Sequence, residues 1–177
     1  QAGMIPHGEV VLLISDHKDA YVLTRAMRNG VESAVVDVHE VPDRREREER
    51  ILGILREKEI GFVVFAGFMS ILSERFTRAY EGRIINVHPS LIPSFCGKGY
   101  YGLHVHEAVL ARGVKVTGAT VHFVTEECDG GPIILQRAVE VKGGDTPESL
   151  QKRVMREAEW VILPEAVELV CKQLSRA

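Results

Sequence analysis

The sequence predicts an α/β fold: an open, mostly parallel sheet with helices on both faces, followed by an antiparallel C-terminal part. Three observations carry this. Short apolar runs at 10–14 (VVLLI), 62–66 (FVVFA) and 83–87 (RIINV) have the length and β-branched content of buried strands. Helical stretches separate them, in the order strand–helix–strand–helix–strand–helix–strand. After Gly118 the chain turns β-rich at 119–124 and 133–141, around an Asp-Gly-Gly-Pro turn, which predicts a hairpin-like antiparallel pair.

Each element has its own signal. The run at 10–14 ends in a polar turn, residues 15–19. Ala20, Leu23, Thr24, Ala26 and Met27 then recur near helical spacing until Asn29-Gly30 stops them. Residues 34–38 (AVVDV) read as the next strand. Pro42 opens a highly charged segment, 43–59, on which Ile51, Leu52, Ile54 and Leu55 form a narrow apolar stripe. That is a surface helix with a solvated charged face. The strand at 62–66 ends at Gly67, and Ser73 caps a short helix running to Tyr80. The strand at 83–87 leads directly into His88-Pro89. Thr146-Pro147-Glu148 opens the last helix with a cap, a proline at the first helical position and early negative charge. Pro164 is expected to kink or restart that helix.

At 177 residues the chain is expected to form one domain, 1–177, with residues 1–8 disordered or foreign to the native chain. A net charge of −3 disfavours nucleic-acid binding through phosphate neutralisation. No apolar run reaches membrane-spanning length. Cys96, Cys128 and Cys171 are far apart and odd in number, which fits neither a disulfide framework nor a zinc ribbon. A reducing, cytoplasmic setting is expected.

The densest polar cluster is Asn86-Val87-His88-Pro89-Ser90. Asn86 and His88 lie two apart at a strand end, so both side chains leave one face. Parallel strands deliver ligands at their carboxyl ends. There an amide can donate to a developing oxyanion, and an imidazole can move charge near neutral pH. Taken alone, these five residues fit a strand-end turn with a capping Asn and a surface His better. Asp129, in a glycine-flanked loop, is an ordinary turn residue unless it folds back onto His88, where it would raise the imidazole's pKa. His104, His106 and His122 complete no metal-ligand spacing, so no metal is expected. Cys96 has no local feature that would lower its thiol pKa. Lys98, between two glycines, reads as a solvated loop lysine.

Four segments in order resemble the folate-dependent formyltransferases: AGFMSIL (66–72), NVHPSLIPSF (86–95), TGATVHFV (117–124) and CDGGPIILQ (128–136). The match runs from about residue 10 to the C-terminus and looks like the phosphoribosylglycinamide branch. Methionyl-tRNA formyltransferase and formyltetrahydrofolate deformylase are the near relatives. The resemblance implies a formyltransferase-like, Rossmann-related fold. It implies transfer of a formyl group from 10-formyltetrahydrofolate, a co-substrate, to the amine of phosphoribosylglycinamide in purine biosynthesis. The alternatives are a weakly active or inactive folate-binding paralogue, or a 10-formyltetrahydrofolate hydrolase. By the same resemblance Asn86, His88 and Asp129 are catalytic, with Asp129 holding His88 charged. Arg45, Met69, Ser70, Ile71, Leu72, Thr125, Glu126, Glu127 and Cys128 meet the folate. Pro89 and Glu159 meet the ribonucleotide, and Ile92-Pro93 is a cis bond.

The resemblance has one departure. The family's opening strand, glycine-rich phosphate loop and helix have no counterpart here. Residues 15–19 (SDHKD) contain no glycine and two acids, which would repel a phosphate. The run at 10–14 aligns better with the family's second strand, so the chain looks short by one strand–helix unit. Losing an internal strand either draws its neighbours together or leaves unpaired backbone groups. The expected outcomes are loss of activity, phosphate binding by other groups such as Lys98 or Lys18, or completion of the sheet in a homo-oligomer.

Overall fold

The computed structural model describes residues 3–67 and 72–176. The chain divides into two compact units, Gln1–Gly61 and Phe62–Ala177.

The first unit holds β1 (Leu12–Ser15), α1 (Tyr21–Arg28), β2 (Glu32–Val35) and α2 (Arg44–Glu57). β1 and β2 pair in parallel, from Leu12 opposite Glu32 to Ser15 opposite Val35. Both strands are shifted from the expected runs. Val10 and Val11 are exposed and precede β1. β2 stops before Asp37, whose buried carboxylate accepts the Lys18 N–H at 3.0 Å and the His39 N–H at 2.8 Å. Backbone pairing continues past the strand ends, with the Val36 N–H donating to Ser15 O at 2.9 Å and the Val38 N–H to Asp16 O at 3.0 Å. α1 ends at Asn29 and Gly30, the latter at φ 67°, as the Asn-Gly signal predicts. On α2 the Asp43 carboxylate accepts the Glu46 N–H at 2.8 Å, and Leu52 and Leu55 are buried beneath the charged face. Residues 3–8 have turn character, with the Gly8 N–H donating to Ile5 O at 3.4 Å.

The second unit is built on a four-stranded sheet of order β3-β4-β5-β6, from β3 (Val63–Phe65), β4 (Ile84–His88), β5 (Val116–Phe123) and β6 (Ile133–Glu140). β3 and β4 are parallel; β4–β5 and β5–β6 are antiparallel. The mixed parallel and antiparallel pattern is the predicted one. Between β3 and β4 lies α3 (Glu74–Ala79), with Ser73 as its cap. α4 (Leu103–Arg112) connects β4 to β5, and α5 (Pro147–Val154) follows β6. A π-helical turn, Met155–Glu159, joins α5 to α6 (Trp160–Leu174). Ile84, Ile85, Val105, Val109, Val121, Leu150 and Val154 are fully buried in this unit's core.

Three features differ from the sequence reading. The expected single sheet is two sheets: among the described residues no ladder joins β1–β2 to β3–β6. Each sheet ends where a further strand would have to lie within about 4.8 Å to carry the ladder on. α4 was not anticipated, because Gly97, Gly99 and Gly102 mask the Val105/Val109 spacing that follows them. Pro164 sits inside α6 without restarting it, and the irregular turn falls before it, at 155–159.

Candidate active site

β4 presents its carboxyl end with Asn86 and His88 on one face. In the antiparallel pair with β5, Asn86 stands opposite His122 and His88 opposite Thr120. All four side chains therefore share that face. Asp129 arrives from the β5–β6 loop, at φ 56°, a conformation Asp tolerates better than most residues. The loop is fixed by Gly131, where a Cβ would sit 1.8 Å from Phe123 O, so only glycine fits. Asp129 Oδ2 accepts the Gly97 N–H at 2.8 Å.

Asp129 lies between two imidazoles. His88 Nδ1 is 3.6 Å from Oδ2 and His122 Nε2 is 3.6 Å from Oδ1. At that separation these are not hydrogen bonds, and among the described residues His122 Nε2 has no hydrogen-bond partner. The tautomers explain the distance. His88 Nε2 faces Phe95 O at 2.9 Å, and His122 Nδ1 faces Phe123 O at 2.8 Å. A carbonyl only accepts, so those nitrogens carry the protons. When neutral, each ring then turns a lone pair toward the carboxylate. A proton added at His88 Nδ1 would give that ring an N–H to donate to Asp129 Oδ2.

The electrostatics agree in part with the sequence reading. Burial pushes His88 down, and this outweighs the upward pull of Phe95 O and of Asp129. The expectation that Asp129 keeps His88 charged is thus opposed by desolvation in the free chain. Burial pulls the Asp129 carboxyl up, but His122, the Gly97 N–H and His88 together hold it below its ordinary value. His106, on α4, is fully buried, and among the described residues neither of its ring nitrogens has a hydrogen-bond partner. Burial, and to a lesser extent His88, lower it to about 4, so it is neutral at physiological pH.

The turn after His88 is pinned from β5 and β6. Thr120 Oγ1 donates to Ser90 O at 2.7 Å and accepts from Ile92 N at 3.1 Å and from Gln136 Nε2 at 3.0 Å. The Ile92-Pro93 bond is cis, as the resemblance implies. We expect Thr120→Val to cost about 2–4 kcal/mol, because it strands buried partners on both sides. Urea unfolding would show a lower midpoint at unchanged slope. An unmoved midpoint would mean the turn is held by something else.

The other expected site residues are placed as follows. Pro89 is half-buried beside His88. Thr125, Glu126, Glu127 and Cys128 form the exposed loop leading to Asp129. Leu72 is half-buried, whereas Met69, Ser70 and Ile71 lie outside the described residues. Arg45 is exposed on α2 of the first unit, 3.7 Å from Glu49. Lys18 and Lys98 are both exposed. His104 is exposed and contacts Glu107 at 3.1 Å, whereas His106 is buried, so they do not share a face. Among the described residues no group of three or more His, Cys, Asp or Glu is placed to hold a metal, and no helix is long and apolar enough to cross a membrane. His122 is the site residue the sequence reading left unassigned; the antiparallel register opposite Asn86 is the signal that finds it.

Glu159 closes the π-helical turn, which packs against β5 and β6. Burial alone pushes its carboxyl up to about 7. A raised carboxyl pKa means the ionised form costs stability: nothing below the ordinary value of 4.5, and the full amount above about 7. Glu159→Gln is expected to raise Tm at pH 8 and to leave it unchanged at pH 4.5. Thermal unfolding at the two pH values checks this. Equal Tm at pH 8 would place the carboxylate in water.

β4 thus delivers an Asn-x-His pair that is answered by an acid from the β5–β6 loop. The family model described as formyl transferase matches residues 3–167, and the chain belongs to that family. It is 39% identical over 168 residues to the chloroplastic phosphoribosylglycinamide formyltransferase of Arabidopsis thaliana, covering 94% of this chain and 57% of that protein. It is 44% identical over 162 residues to the trifunctional purine biosynthetic protein adenosine-3 of Gallus gallus, covering 92% of this chain and 16% of that one. The chain thus spans 57% and 16% of the length of these curated relatives. Among solved structures, glycinamide ribonucleotide transformylase 1 from Symbiobacterium toebii matches with a TM-score of 0.88 and 41% identity, over 97% of this chain and 77% of that one.

Proposed function

We propose that this chain is a formyltransferase domain that moves the formyl group of 10-formyltetrahydrofolate to the amine of phosphoribosylglycinamide, a step of purine biosynthesis. The observation that carries the reading is the Asp129 carboxylate set between His88 and His122 on the face of Asn86, in a chain related to enzymes named for that reaction.

The chemistry follows from the groups present. The amine attacks the formyl carbon and its carbonyl becomes an oxyanion. The Asn86 amide donates to that oxygen. His88 Nε2–H, which meets Phe95 O in the free chain, is a second donor once that contact is exchanged. The amine becomes acidic as it bonds to carbon, and its proton passes to the Asp129–imidazole cluster, directly or through water. The bond from carbon to N10 then breaks, and N10 takes a proton back. Thr125, Glu126, Glu127, Cys128 and Leu72, with Met69, Ser70 and Ile71, form the folate side. Arg45 meets the folate tail, and Pro89 and Glu159 meet the ribonucleotide. No metal is required. The three free cysteines fit a reducing, cytoplasmic setting.

Calorimetry with a non-transferable folate analogue and, separately, with phosphoribosylglycinamide tests the two-substrate reading. Saturable binding of both is expected. Binding of the folate alone would leave a folate-binding protein and overturn the proposal.

A further inference from the structure

The two loops that meet at Asp129 each carry a cysteine; Cys128 lies on the proposed folate side, and neither thiol takes part in the transfer steps above. Cys96 immediately precedes Gly97, whose N–H donates to Asp129 Oδ2 at 2.8 Å. Cys128 immediately precedes Asp129. One hydrogen bond therefore ties the two chain segments together one residue beyond each thiol. Cys128 is exposed and Cys96 half-exposed, and neither is in a disulfide. The Cys96 thiol contacts Pro93 O at 3.3 Å, on the side of the turn that follows His88. Cys171, the third cysteine, lies on α6.

We propose that Cys96 and Cys128 are a modification site: a dithiol that a small-molecule disulfide converts to an intramolecular disulfide, shutting the site at Asp129. The step balances. The Cys128 thiolate attacks one sulfur of glutathione disulfide, the S–S bond breaks, and one glutathione leaves and takes up the Cys128 proton. The Cys96 thiolate then attacks the Cys128 sulfur and expels the second glutathione, which takes the Cys96 proton. Two protein thiols are oxidised and one glutathione disulfide is reduced to two thiols. The new bond clamps residues 96–97 to 128–129. It holds the 125–128 loop, the proposed folate side, against the turn that follows His88.

The surroundings set the pH dependence. Burial, then Asp129 and Glu127, raise the Cys96 thiol. Burial, then Asp129 and Cys96, raise that of Cys128. Both stay protonated at neutral pH, and closure accelerates as pH rises toward the thiol range.

The test is incubation of the full chain with glutathione disulfide at pH 7 and pH 9, followed by non-reducing peptide mapping and the formyl-transfer assay. A peptide pair linked through Cys96 and Cys128 is expected, forming at least ten-fold faster at pH 9. Transfer activity is expected to fall with its formation and to return with dithiothreitol. Cys171→Ser should behave like the parent chain. Cys96→Ser should keep its basal activity and carry a glutathione adduct on Cys128 in place of the link. Glutathione adducts on the parent chain without the linked pair would overturn the proposal, and so would a linked pair that leaves transfer intact. The activity arm rests on the function proposed above, but the mapping arm does not, so an inactive chain that still forms the link refutes that function and not the dithiol.

Discussion

Asp129→Asn is expected to lower kcat by about 10³-fold while the protein stays folded, within the range typical for losing a positioned proton acceptor. The substitution is nearly isosteric, and the Asn oxygen can still accept the Gly97 N–H that holds the loop. What goes is the charge. Asp129 is the anion pulling His88 upward, against burial and against His122. Without it the His88 pKa falls further, and the cluster loses the carboxylate toward which both rings turn a nitrogen at 3.6 Å. The acidic limb of the pH–rate profile should move to lower pH together with the loss of rate. Steady-state kinetics from pH 5 to 9 checks both features. A variant retaining more than a tenth of parental kcat would remove Asp129 from the proton path.

Asn86→Ala is expected to cost about 10²–10³ in kcat, the usual loss for one oxyanion donor. Asn86 is half-buried on β4, and its amide makes no hydrogen bond among the described residues. Truncation therefore breaks nothing the fold needs, and the unfolding midpoint should stay within about 0.5 kcal/mol of the parent. The donor acts on charge that develops only in the transition state, so kcat falls and KM holds. A raised KM with unchanged kcat would make Asn86 a binding residue instead.

The candidate residues are singled out by the resemblance, because their local signals are weak: the Asn86-x-His88 spacing taken alone fits a strand-end turn better, and Asp129 reads as an ordinary turn residue. What the spacing cannot supply is the meeting of Asp129 with His88, which depends on the β4–β5–β6 register and on Gly131. His122 illustrates the gap. It looks like one of several scattered histidines until the antiparallel pairing sets it opposite Asn86. The net direction of the His88 pKa was also hidden, because burial is a property of the packed unit, not of neighbours along the chain. α4 escaped because its glycine-rich approach suppresses the usual start signal, while Gly113 at φ 73° ends it in the expected way. The division of the strands into two sheets is not legible either, because an apolar run does not say which strand it pairs with. Residues 15–19, with two acids and no glycine, end β1 in a turn closed by Ser15, whose hydroxyl donates to His17 O at 2.8 Å.

The most direct measurement is a transfer assay with purified chain and a 10-formyl-folate donor, following release of the deformylated folate by absorbance with and without phosphoribosylglycinamide. Formation of the deformylated folate only when the amine is present, matched mole for mole by formylated ribonucleotide, is the predicted result. Release at the same rate without the amine, with formate as the product, would contradict transfer and make the chain a hydrolase. No release in either case, with the folate analogue still bound, would contradict catalysis by this cluster altogether.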